Sequence, residues 1–534
     1  MRLRSLKELD NTEGTVQLHS SAGDAQIILH PRPNPNDPND PLRWPRWKKH
    51  VAFTSVCAFT FLSNYGIGGL APAFYGLSIE FGKTQGETTA LLLWPILVFG
   101  LFNFMWVPLA NYFGKRPVFC FASLLLWVSY VWGAEAKTFR SLLWSNIVGA
   151  FAGSSTEALG AAIVNDLYFL HERGAKMGIY MNSISGGNTI GPLICGFVVQ
   201  SLGWRWHKRM AAIFSAVNWL VVVFACPETQ YSRDAADALA SSPSSASDLA
   251  SDEESNPTGM LEKTVSATEK QVVTSPPGTS RAATQVPLKP WAQQLRPWSG
   301  VAKNTNLLEL FVRPFPLIAY PAVIFAFLGY AVALAWVVAI NILNSFVLQA
   351  PPYNWKPSIN GLINIPGLLG NLFGAWAGGW LVDRYSDWRS RKNGGVFQPE
   401  SRLMLLIIPG LLVPAGCLVF GYGVQDTLHW ISLFFGYGMI SVGLTAVPCI
   451  TMTYVSDCYL PVAPDALLLV NGLKNIVAFG FLQGVVPWVT ETGYVDSFGT
   501  QAGLFVAIIA LGAIPLIFFG QRLRHITAQW RIIL

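Results

Sequence analysis

The stretch "SISGGNTIGPLICGFVVQ", Ser183 to Gln200, holds four glycines and a proline between Gly186 and Gly196. Glycine costs roughly 1 kcal/mol in a helix relative to alanine, and proline about 3 kcal/mol. The surrounding residues nevertheless read as an apolar helix. Ser183, Gly187, Gly191 and Cys195 recur every four residues, so they share one helix face. Small residues at that spacing let two helices approach closely, which matters in lipid, where packing drives association. Pro192 removes the hydrogen bond to the carbonyl of Asn188 and favours a bend. No strand precedes "GGNTIG" and no Lys-Ser/Thr follows it, so it is not a phosphate loop. The stretch reads as a membrane helix built for a close contact.

The whole chain agrees with that reading. Of its 534 residues, 52% are hydrophobic and only 12% charged, and the mean hydropathy is +0.39. A soluble protein carries about 25% charged residues. The net charge of +6 comes from scattered basic residues, with no nucleic-acid module among them. The start "MRLRSLKELDNTEG" lacks the apolar core of a signal peptide. Seven cysteines lie in or beside apolar runs, without C-x-x-C, H-E-x-x-H or a cysteine-histidine cluster. They read as packing residues, so neither a metal site nor a disulfide framework is indicated, and no cofactor is expected.

A helix needs about 20 mostly apolar residues to cross the hydrocarbon core. That length predicts twelve spans. The first six cover roughly 51–75, 88–110, 117–135, 141–168, 176–201 and 208–226. The second six cover roughly 315–346, 358–382, 402–423, 429–456, 464–489 and 500–520. The fold class is an all-α membrane protein of two six-helix, pseudo-repeated bundles. The expected plan is an N-terminal tail (1–50), a bundle (51–226), a disordered linker (227–314), a second bundle (315–521) and a C-terminal tail (522–534). The linker contains "DAADALASSPSSASDLASDEESNPTG", whose serines are candidates for phosphorylation. With the N-terminus inside, cytoplasmic segments hold 28 Lys and Arg and the opposite side 7. The tails and linker are discounted, but the short loops carry the rule, so both termini are expected in the cytoplasm.

The halves echo each other. "VPLANYFGKRP" (Val107–Pro117) follows span two and "GGWLVDRYSDWRSRK" (Gly378–Lys392) follows span eight. Each is expected to be a tight turn with basic residues. Such repeats around a midplane site are a transporter architecture.

Several segments together resemble the major facilitator superfamily, and within it the fungal drug:proton antiporter-like group. They are "NPNDPNDPLRWPRWKKH", "PLANYFGKRPV", "NDLYFLHERGAKMGIY", "GGNTIGPLICG", "GWRW" and "PETQYSRD". The resemblance runs from about Asn34 to the C-terminus, apart from the linker. It implies a transporter rather than an enzyme. It also marks Gly187, Gly191, Pro192 and Gly196 as the antiporter motif, with Cys195 in place of a glycine. The family pattern has a glycine and an aspartate-arginine pair before the two–three turn; here Val107, Asn111 and Tyr112 stand there. The charged version survives as Asp383–Arg384, so gating electrostatics are expected to rest on that second loop. Asn111, Gly114, Lys115, Arg116, Asp383 and Arg384 are the candidate gating residues. The family's membrane arginine in span four is absent, its place taken by "LLWSNIVG" with Ser145 and Asn146.

Charges inside spans are the sharpest chemical clue. Glu157 falls near the middle of span four, where a carboxylate is costly and usually functional. Ionisation is opposed in hydrocarbon, which suits such a group to bind and release a proton or to attract a cationic substrate. The alternative is a carboxylate held by polar groups of a neighbouring helix. Asp166, nearer the cytoplasmic end, reads as part of a loop-anchoring network, with coupling its other role. Lys474, near the start of span eleven, either snorkels or meets substrate. Asn64, Tyr65, Asn341, Asn344, Asn364 and Asn371 are candidates for lining a cavity, or for interhelical hydrogen bonds.

Three functions follow. The first is proton-coupled efflux of a small organic molecule, such as a secondary metabolite, toxin or drug. The second is uptake of a polyamine or other organic cation. The third is a non-transporting sensor acting through the linker. The expected partners are the bilayer, a small-molecule substrate and protons, with no nucleic acid. The chain is expected to act as a monomer in the plasma membrane or an internal, vacuolar one.

Overall fold

The computed structural model describes residues 3–5, 16–17, 37–169, 172–229, 288–296, 307–349 and 353–533. The first six predicted spans fall on helices Arg46–Gly68, Gln85–Phe113, Lys115–Ala134, Phe139–Leu167, Arg173–Leu202 and Trp204–Ala225, hereafter spans one to six. Spans seven and nine to twelve are Pro321–Gln349, Ile407–Gln425, Trp430–Cys458, Ala463–Thr492 and Tyr494–Ala528. Span eight is a run of consecutive pieces: Pro357–Leu362, Asn364–Ala375, a π-helical turn at Trp376–Leu381, and Val382–Lys392. Among the described residues, ten helices are long and apolar enough to cross a membrane. The other two predicted spans, five and eight, are the glycine-rich ones, whose composition lowers their mean hydropathy.

Local chemistry sets the ends. Thr84 and Glu87 form a capping box that starts span two, with Thr84 N donating to Glu87 Oε2 over 3.0 Å. Lys83 Nζ donates to Glu87 Oε1 at 2.9 Å and ties the preceding turn to the cap. Gly203 (φ 87°) joins spans five and six, and Gly493 (φ 84°) joins spans eleven and twelve. The same left-handed turn at the same place in each half is a structural echo, and only glycine adopts it freely.

Within the first half, span one packs on five, two on four, and three on six; within the second, seven packs on eleven, eight on ten, and nine on ten and twelve. The halves meet where span two lies against eleven and span five against eight and ten. Leu511 and Phe518 of span twelve are 76% exposed. Large apolar side chains so placed need lipid around them.

Two expectations change. The second loop of the echo is not a tight turn, because Asp383 and Arg384 ride on helix Val382–Lys392. No breaker occurs until Asn393, after which Gly394 and Gly395 turn the chain with positive φ. The ends of the segment expected to be unstructured are also ordered. Glu228 accepts hydrogen bonds from the backbone of Lys115 and Arg116. Short helices occupy Trp291–Gln294 and Leu307–Val312, the latter against span two. The middle of the expected linker, 230–287 and 297–306, lies outside the described residues. Strand Leu3–Ser5 pairs antiparallel with Arg531–Ile533, and Val16–Gln17 with Val396–Phe397. These pairings bring both tails to the face that carries the eight–nine loop.

Candidate functional site

Glu157 sits in "GSSTEALGAA", whose small residues let neighbouring spans close in. A Cβ on Gly153 would lie 2.8 Å from Ser63 of span one, and one on Gly160 would lie 2.4 Å from the Tyr180 ring of span five. So packed, Glu157 is 3% exposed. Its Oε1 accepts from Lys474 Nζ at 3.0 Å and its Oε2 from Asn475 Nδ2 at 2.7 Å. Asn471 Nδ2 donates to the Glu157 carbonyl at 2.7 Å. The Lys474 ammonium also lies 4.0 Å from the Tyr330 ring centroid, a cation–π distance. Tyr180 closes the side, its hydroxyl donating to the Thr156 carbonyl over 2.9 Å.

This cluster joins span four of one half to spans eleven and seven of the other. Lys474 does not snorkel. Its helix begins at Ala463, about three turns away, and the side chain is fully buried. Sequence reading singled out Glu157 and Lys474 separately but missed Asn471, Asn475 and Tyr330. The signal available was the i, i+3 and i+4 spacing of Asn471, Lys474 and Asn475, which shares one helix face.

A second network lies at the end that holds the tails. Arg402 donates to Asp457 Oδ2 through Nε at 2.7 Å and to Asp383 Oδ1 through Nη1 at 2.6 Å. Asp383 Oδ2 accepts from Ala175 N at 2.8 Å, in the first turn of span five. A carboxylate there meets the positive end of a helix. Gly174 makes the approach possible, since a Cβ on it would lie 2.2 Å from Asp383 Oδ1. Arg173 lies 3.8 Å from Asp457, and Asn165 donates to Ser456 at 2.8 Å. Arg173 and Asn165 belong to the first half, Asp457 and Ser456 to the second. Of the expected gating pair, Asp383 therefore bridges the halves, whereas Arg384 is exposed.

The first loop stays within its own half. Lys115 contacts Asp166. Arg116 donates to the carbonyls of Cys226 at 2.9 Å and Val223 at 2.6 Å. Gly114 (φ 99°) makes the turn, and Asn111 is half-buried at the end of span two. Sequence reading missed Arg402, Asp457 and Arg173.

The glycine stretch makes two different contacts. A Cβ on Gly187 would lie 2.5 Å from the Phe61 carbonyl, and one on Gly191 2.8 Å from Gly69 Cα, both in or next to span one. A Cβ on Gly196 would lie 2.5 Å from the Pro357 carbonyl of span eight, across the halves. Pro192 is inside the helix, and its carbonyl is 3.2 Å from a Cβ placed on Gly361.

The remaining cavity candidates are dispersed. Asn64 Oδ1 accepts from Asn188 at 3.3 Å. Tyr65 stacks on His207 at 4.7 Å. The Tyr437 hydroxyl lies 3.2 Å from Asn341 Oδ1 and 3.1 Å from Asn364 Oδ1. Asn371 Nδ2 reaches Thr189 of span five at 3.3 Å, and Asn344 Nδ2 is buried without a partner among the described residues. These hydrogen bonds tie spans together rather than converge on Glu157. An apolar groove of about 690 Å³ opens between spans one, five and six, lined by Phe61, Leu62, Tyr65, Ile194 and Phe214 among others. All seven cysteines are free thiols, and no metal-binding cluster occurs among the described residues.

Residues 56–459 match the sequence pattern of the Major Facilitator Superfamily. The chain belongs to that family. It is thus a multi-pass membrane transporter. An uncharacterized MFS-type transporter of Schizosaccharomyces pombe is 26% identical over 95% of this chain and 89% of its own length. The efflux pump radE of Floropilus chiversii is 23% identical over 92% of this chain and 84% of its own. The fold is similar to that of the human organic anion transporter MFSD10, with a TM-score of 0.52 at 17% identity, covering 88% of this chain and 100% of that one.

Proposed function

We propose that this transporter exports a small organic molecule in exchange for protons, with the Glu157–Lys474 pair as its coupling element. The observation that carries the reading is a fully buried ion pair spanning the two halves. Alternating access parts such halves around the midplane, so the pair is broken and remade in each cycle. A proton reaching Glu157 removes its charge and releases Lys474 and Asn475. Protonation from outside accompanies substrate release; deprotonation toward the cytoplasm restores binding. The similarity to an efflux pump supports the outward direction. In this reading the tails and the Asp383–Arg402–Asp457 network face the cytoplasm, and the chain works as a monomer in the plasma membrane.

One observation favours a second reading, uptake of an organic cation. Lys474 is itself an alkylammonium, held by a carboxylate, a neighbouring amide and the face of Tyr330. A substrate amine would meet the same groups once Lys474 withdraws.

The experiment is the steady-state accumulation of labelled polyamines, lipophilic cations and neutral aromatics in cells expressing the intact chain or Glu157→Gln. A Glu157-dependent fall in accumulation of any compound supports export. A Glu157-dependent rise in polyamines favours uptake instead. Accumulation unchanged by Glu157→Gln for every compound the chain moves refutes the coupling role.

A further inference from the structure

Three cations follow one another at the start of span six: Arg205, Lys208 and Arg209. Arg205 pairs with Glu80 at 3.2 Å, and Arg209 with Glu135 at 3.0 Å. Lys208, between them in sequence, turns inward and is 1% exposed. Its amine donates to the carbonyl of Gly66 in span one and to Asn146 Oδ1 of span four, the latter at 2.7 Å. Asn146 is oriented for this by its own amide, which donates to the Leu91 carbonyl of span two at 3.2 Å. No carboxylate among the described residues pairs with Lys208.

The surroundings are uncharged among the described residues. Tyr130 of span three presents its ring 5.4 Å from the amine, and its hydroxyl donates to the Leu62 carbonyl at 2.7 Å. Cys195 of span five is buried as well. His207 precedes Lys208, with Nε2 3.3 Å from the Tyr65 carbonyl and Nδ1 buried without a partner among the described residues. Tyr65 of span one stacks on the His207 ring at 4.7 Å. The titratable neighbours are therefore His207, Tyr65, Tyr130 and Cys195, none of them a counter-charge in its ordinary neutral form. A buried ammonium facing only dipoles bears most of the cost of leaving water. Glu157 and Lys474, by contrast, cancel each other.

We propose that Lys208 is a second proton-carrying site, separate from Glu157, in the first bundle at the end away from the tails. It rests on the proton-coupled reading above for its part in transport. When the helices that hold it shift during the cycle, the ammonium gives one proton to an entering water. The amine is left neutral and the charge leaves as hydronium; reprotonation reverses the step. Each acceptor belongs to a different helix, so relative movement of those helices changes how well the charge is held.

The test needs no substrate. Purified full-length chain in lipid nanodiscs is titrated potentiometrically, intact and as Lys208→Met, Lys208→Arg and Asn146→Asp. Between about pH 5 and pH 9 the intact chain is expected to exchange about one proton more per chain than Lys208→Met. Lys208→Arg, whose guanidinium keeps its charge throughout, is expected to match Lys208→Met. Asn146→Asp places a carboxylate against the amine and is expected to hold the proton on, giving the same loss with the lysine in place. The difference should persist in a Glu157→Gln background. Equal proton exchange by the intact chain and Lys208→Met overturns the proposal. The two readings fail separately: transport that ignores a pH gradient, with the titration difference intact, refutes proton coupling but not the site.

Discussion

Removing one partner of the Glu157–Lys474 pair should cost more than removing both. In Glu157→Gln the Lys474 ammonium keeps the Tyr330 ring at 4.0 Å but loses its counter-charge at 3.0 Å. Breaking a buried pair costs about 3–5 kcal/mol. The glutamine oxygen still accepts one hydrogen bond, which recovers about 1 kcal/mol, leaving a loss of roughly 2–4 kcal/mol. Lys474→Met leaves the carboxylate with Asn475 alone at 2.7 Å, and a loss of similar size is expected. The double variant removes both charges together, and such replacements are often neutral. With the double variant near neutral, the coupling energy equals the sum of the two single losses, roughly 4–8 kcal/mol, above the range of about 0.5–3 kcal/mol usual for contacting residues. The assay is unfolding of the four chains in mixed micelles, followed by helical circular dichroism and assembled as a double-mutant cycle. Losses that add to within about 0.5 kcal/mol would contradict the pairing, because two side chains that hold each other cannot be independent.

Two further outcomes are expected. Gly174→Ala places a methyl against Asp383 Oδ1, where only 2.2 Å is available; it should part the halves at the tail face. The Cys449 thiol, now 3.7 Å from the Gly174 carbonyl, should then react several-fold faster with a membrane-permeant maleimide; an unchanged rate contradicts the contact. Gly191→Ala should lower thermal stability by about 1–3 kcal/mol, because Gly69 Cα stands 2.8 Å away, whereas Gly186→Ala meets only Phe61 at 3.6 Å and should be tolerated. Equal shifts for the two in a thermal-unfolding assay would show that the glycine face does not set this helix contact.

The amino-acid chain was enough for the class, the spans and their repetition, because hydrocarbon thickness and the cost of exposed backbone act on composition and length. It also determined that Glu157 was exceptional, since a carboxylate among "GSSTEALGAA" has no local reason to be there. The face of small residues in span five was legible too, because a four-residue spacing is a property of one helix. That Gly187 and Gly191 meet span one while Gly196 meets span eight was not. A one-dimensional period says which residues share a face, not which helices stand around it.

The partner of Glu157 is set by packing between the two halves. Lys474 lies 317 positions along the chain, beyond any local spacing rule, and its helix read alone left snorkelling and a meeting with substrate equally open. Packing places Lys208 in the same way, turning it inward onto carbonyl and amide dipoles while the arginines beside it find carboxylates. Composition fixes how much charge a membrane chain contains. The meeting of distant helices fixes which of those charges cancel.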